Sequence, residues 1–115
     1  MEIRIKRVYE KASKDDGFRI LVDRIWPRGV SKEEAHLDEW MKDIAPSTPL
    51  RKWFDHKEER FDEFSKKYKQ ELKNSPDLVQ EILKMAKEKP LMLVYSAKDE
   101  EHNQAVVLKS FLEEQ

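Results

Sequence analysis

The stretch LMLVYSA, residues 91–97, constrains the fold more than any other part of the chain. Its residues are apolar without alternation, and Pro90 stands immediately before them. A strand with one wet face alternates apolar and polar side chains, whereas an unbroken apolar run fits a strand covered on both faces. Strands of that kind belong to parallel sheets, whose crossover connections lay helices on the sheet faces. LMLVYSA is therefore expected to be the central strand of an α/β fold.

The rest of the chain supplies the partners. Ile3 and Ile5 alternate with Arg4 and Lys6, which predicts a strand within residues 2–9 at a sheet edge guarded by charge. KASKDDG turns the chain into a second strand over 18–25. That link is short for a parallel crossover, so the direction of the first strand stays open. Ser31 and Glu34 form a capping box, and Leu37, Trp40, Met41 and Ile44 follow at i, i+3, i+4, i+7 spacing, predicting a helix that Pro46 ends. Thr48-Pro49 opens a short helical segment through Trp53 and Phe54. Phe61, Phe64, Tyr68 and Leu72 mark one face of a longer helix, and Ser75-Pro76 opens another carrying Leu78, Val79, Ile82 and Met85. A last helix is expected over about 100–113, capped by Asp99. The expected architecture is one small α/β domain spanning residues 1–115, with a mainly parallel three-stranded sheet covered by helices.

Composition narrows the function classes. Twenty-three basic and twenty-four acidic side chains leave a net charge of −1, so no overall field draws the chain to nucleic acid or anionic membrane. Without cysteine there is no disulfide, thiolate nucleophile or cysteine zinc site. Only two glycines occur, so no glycine-rich phosphate loop or cofactor motif is present and no cofactor is expected. No apolar stretch approaches a membrane span, and MEIRIKRVYE lacks the apolar segment of a signal peptide; a cytoplasmic protein is expected.

Chemistry is expected beyond the carboxyl ends of the strands, where loops of an open α/β sheet converge. If the second and third strands are parallel, DRIWPRG and SAKDEEHN share that edge. Arg24 and Arg28 would hold an anion, since a guanidinium matches carboxylate or phosphate bidentately, with Lys98, Trp26 and Asn103 assisting. Asp23, Glu101 and His102 are the candidates for proton transfer. Extending the apolar stripe of the last helix (Ala105, Leu108, Phe111, Leu112) back by one turn points Glu101 toward the sheet edge. Because Asp23 and Arg24 project from opposite faces of a strand, one of them should meet the segment 96–103.

The same residues have structural readings. Asp23 and Arg24 suit an ion pair or loop anchor, Trp26 suits core packing, and 98–101 suits a solvated helix cap. His36, His56 and His102 show no metal-ligand spacing, so no metal site is expected.

Two long segments, LVDRIWPRGVSKEEAHLDEWMKDIAPSTPLRKWF and VYSAKDEEHNQAVVL, closely resemble the YeaO-like family of the DUF488 superfamily of bacterial and archaeal proteins. The resemblance spans nearly the whole chain and implies an α/β fold that brings DRIWPRG and AKDEEHN together. It brings no established reaction. Longer relatives often carry cysteines in the third-strand motif, where this chain has Tyr95 and Asn103, so the resemblance transfers no thiol mechanism.

The leading expectation is an enzyme, or an enzyme-like domain, that binds a small anionic molecule in a polar pocket at this edge. The rival is a non-catalytic interaction module docking a protein through Trp26 or through Trp53 and Phe54, and a nucleic-acid regulator stands third. Oligomeric state is not legible.

Overall fold

The computed structural model describes residues 1–115. Four strands form one sheet: β1 (Ile3–Arg7), β2 (Phe18–Leu21), β3 (Glu39–Trp40) and β4 (Leu91–Tyr95). Their order is β1-β4-β2-β3, and every pairing is parallel. β4 is central as its composition requires, with Leu91 opposite Ile3 on one side and Phe18 on the other. The sheet has four strands rather than three, and β1 is now seen to run parallel to the rest. The link over residues 8–17 carries the chain back across β4 to β2.

Five helices follow the chain order: α1 (Lys32–Ala35), α2 (Thr48–Phe54), α3 (Phe61–Lys73), α4 (Pro76–Glu88) and α5 (Gln104–Glu113). None is long and apolar enough to cross a membrane. The main core lies between one sheet face and α2 to α5, where Ile20, Leu91, Leu93 and Tyr95 meet Phe64, Tyr68, Ile82, Leu108 and Leu112. On the opposite face Leu21, Met92 and Val94 pack with Val8 and Ala35 beneath Trp26, Val30 and Leu37. That second cover is mostly loop plus the four-residue α1, not the layer of helices expected over both faces of β4.

The helix expected from Ser31 to Ile44 is broken early. The capping box forms as read, yet His36 enters the left-handed region (φ 47°) and ends α1. Arg19 explains the stop. Its buried guanidinium takes the carbonyls of Ala35 and His36, and its backbone exchanges hydrogen bonds with Asp38. These contacts satisfy the orphan carbonyls of α1 and draw 38–40 onto the edge of β2 as β3. Trp40, expected on a buried helical stripe, is a partly exposed strand residue.

The last helix begins later than expected. The Asp99 carboxylate captures the N–H groups of Glu101 and His102 in a turn, and Asn103 caps α5 by accepting from Val106 N–H. Similarly, Ser47 rather than Thr48 caps α2.

Candidate functional site

Because β2 and β4 are parallel neighbours, their carboxyl ends deliver Asp23 and Ser96 to the same edge. Asp23 is almost wholly buried, its Oδ2 accepts from Ser96 Oγ, and its Oδ1 accepts from Gln104 Nε2 at 2.6 Å. One member of the Asp23–Arg24 pair thus meets the segment 96–103, as the strand geometry demanded. Burial pushes the Asp23 carboxyl above its ordinary value, and the two hydrogen bonds with the nearby Arg51 charge hold that rise back.

The loop after β2 is fixed by its own side chains. Trp40 Nε1 donates to the Asp23 carbonyl at 2.7 Å, Trp26 Nε1 donates to the Val30 carbonyl at 2.7 Å, and the two indoles meet edge to face at 5.4 Å. Tyr9 Oη donates to the Arg28 carbonyl at 2.9 Å, and Gly29 adopts a φ of 76° that favours glycine. Around this framework opens a cleft of about 550 Å³, with Asp23 and Ser96 at its base and residues from α2 on its far wall.

The cations in this cleft fall into two kinds. Arg24 spends its donors on the carbonyls of Pro46 (2.9 Å) and Ala45 (3.0 Å), with Asp43 at 3.9 Å. It ties the wall together. Arg28, Arg51 and Lys52 line the same cleft, and their side chains have no hydrogen-bond or ion-pair partner within the protein. Arg51 and Lys52 lie on α2, a segment the sequence presented only as a short helical segment through Trp53 and Phe54; its RKWF tail carried the signal, but nothing local said which way it faced. Ser96 and Gln104 escaped notice for the same reason, since neutral side chains gain meaning here only from Asp23.

The other residues singled out in sequence are dispersed. Trp26 and Asn103 line the cleft, but Asn103 is committed to helix capping and to the Asp99 carbonyl. Lys98 is exposed and does not line it. Glu101 is also exposed: with α5 starting at Gln104, the helical wheel does not extend back to it, and it does not point toward the sheet edge. His102 lies outside the cleft, edge-on to Phe61 at 5.1 Å, with Nδ1 at 2.9 Å from Asp99 and Nε2 at 3.6 Å from Glu58.

Glu58, Asp99 and His102 place possible metal-ligand atoms within 4.8 Å of one another. The two carboxylates, however, address opposite nitrogens of one imidazole. A single ion would use only one of those nitrogens, so the arrangement describes a bridged side chain that ties the turn at 99–102 to the segment before α3.

The chain is 46% identical to the uncharacterized protein YeaO of Escherichia coli strain K12, over 97% of each chain. It is 42% identical to the uncharacterized proteins Mb3100c of Mycobacterium bovis and Rv3073c of Mycobacterium tuberculosis, covering 96% of this chain and 92% of theirs. No solved structure matches. The family model that matches, over residues 2–115, is described as the inactive DUF488-N3 subclade, and the chain belongs to this DUF488-N3i family.

Proposed function

We propose that the protein is a small-anion-binding domain that holds its ligand in the cleft at the carboxyl edge of the sheet without converting it. The observation that carries this reading is the convergence of three unpaired cations, Arg28, Arg51 and Lys52, on one cleft of a chain whose net charge is −1. Cations left without internal partners at a concave site are free to engage an external anion, and guanidinium groups do so bidentately. Arg24 shapes the wall that presents them.

Binding without turnover is the better reading for two reasons. Of the three side chains considered for proton transfer, Asp23 alone lines the cleft, and its carboxylate is already held by Ser96 and Gln104. The description of the family as an inactive subclade points the same way. A protein-docking role finds less support: Phe54 is buried, Trp53 is flanked by Arg60 and Lys67 over its ring, and Trp26 is packed into the second core.

Thermal denaturation with inorganic phosphate, phosphorylated metabolites and carboxylates tests the proposal. Phosphate and phosphorylated compounds are expected to raise the melting temperature, with the rise lost in Arg51→Ala and Arg28→Ala. No stabilisation by any anion would overturn it.

A further inference from the structure

The cleft is two-ended, and we infer that its ligand is a phosphate monoester of a polyhydroxylated small molecule, with the phosphate toward Arg28, Arg51 and Lys52 and a hydroxyl donating to Asp23. This rests on the anion-binding reading and narrows it. Two features of the lining carry the inference.

The first is charge balance. Within the lining, Arg24, Arg28, Arg51 and Lys52 stand against Asp23 and Asp55, an excess of two positive charges; Asp43, which meets Arg24 at 3.9 Å, is solvent-exposed and outside the lining, so it offsets little of that excess. A phosphate monoester carries about −1.5 to −2 near neutral pH and matches that excess. A monocarboxylate would leave part of it unmet, and a zwitterion nearly all.

The second is the base of the cleft. A carboxylate offers about four acceptor positions, and Ser96 Oγ and Gln104 Nε2 occupy one on each oxygen of Asp23. The remaining capacity accepts hydrogen bonds and gives none. Inorganic phosphate near neutral pH brings mostly negative charge to such a group and is repelled if it approaches. A hydroxyl is suited to it, because it donates to Asp23 while its own lone pairs remain open to the amide of Gln104. The cleft volume, about 550 Å³, lies within the range of sites for small metabolites.

Isothermal titration at constant ionic strength separates this inference from the reading beneath it. The ligands are glucose 6-phosphate, inorganic phosphate and an alkyl phosphate of the same chain length without hydroxyls. The unaltered protein is expected to bind glucose 6-phosphate about tenfold more tightly than either of the others. Asp23→Asn is expected to erase that preference while leaving phosphate affinity equal or higher, because a negative charge has gone. The alkyl phosphate makes the same comparison in the unaltered chain should Asp23→Asn fail to fold. Equal affinity for all three ligands, or a preference that survives in folded Asp23→Asn, would overturn the polyol assignment and leave the anion site standing. Failure of every phosphate to bind would contradict the anion site itself.

Discussion

Asp23, just past the end of β2, accepts a hydrogen bond from Ser96, just past the end of β4 and seventy-three positions away in sequence. The contact exists because the two strands are parallel neighbours, so it depends on the integrity of β4. Val94 has no solvent exposure and packs in the second core. Val94→Asp is expected to bury an unpaired charge at a cost of several kcal/mol, about the size of the whole folding free energy of a small domain. Circular dichroism and urea denaturation check this; a cooperatively folded Val94→Asp protein would contradict the central placement of β4.

β4 was legible because burial on both faces leaves a mark in composition that no other element shares. The segment 36–44 was not. Leu37, Trp40, Met41 and Ile44 keep helical spacing, but what decides their conformation is the buried Arg19, which lies outside that segment, caps α1 and holds Asp38. A tertiary contact overrode a local pattern. The same holds for α5, where the Asp99 side chain diverts the first turn and takes Glu101 away from the sheet. At the site, Asp23 and the edge it occupies could be read from strand alternation and topology. The facing of Arg51 and Lys52 could not, since it is set by how α2 packs.

Gly17 joins the turn segment 14–16 to β2 with φ 75° and ψ −140°, and a Cβ there would lie 2.3 Å from the Pro90 carbonyl oxygen. That oxygen also accepts the Phe18 N–H at 2.9 Å, so it is not free to retreat. Gly17→Ala is expected to cost at least roughly 1–3 kcal/mol from backbone strain alone, visible in calorimetry as a melting temperature lower by several degrees. An unchanged melting temperature would show that this junction relaxes.

Asp16 gives the stability a definite acid limb. Burial raises its pKa, but hydrogen bonds from the Ser13 N–H, Lys6 and Arg19 more than reverse the effect and bring it to about 2. Because the folded value lies below the unfolded one, 3.8, the stabilisation is present above about pH 4 and lost as pH falls toward about 2. Asp23 acts with the opposite sign: its folded pKa is raised above the unfolded 3.8, so folding gains as pH falls through the folded value toward 3.8. Urea denaturation across the acid range is expected to show a weaker loss of stability with falling pH in Asp16→Asn than in the unaltered protein. Parallel curves would contradict the role given to Asp16.

Arg24 and Arg51 are expected to separate stability from binding. Arg24→Ala removes hydrogen bonds to the Ala45 and Pro46 carbonyls and should cost about 1–3 kcal/mol of folding free energy. Arg51→Ala breaks no hydrogen bond or ion pair within the protein and should change stability less than Arg24→Ala does, while weakening phosphate binding about tenfold or more. Paired denaturation and titration of the two variants check this; the reverse pattern would exchange their roles.

The most direct measurement of the central claim is a titration of isotopically labelled protein with inorganic phosphate, followed by amide nuclear magnetic resonance. The anion site places saturable shift changes at Arg28, Arg51, Lys52 and their neighbours around Asp23 and Ser96, absent in Arg51→Ala. Changes spread over the lysines of α3 and α4, without saturation and unaffected by Arg51→Ala, would contradict it.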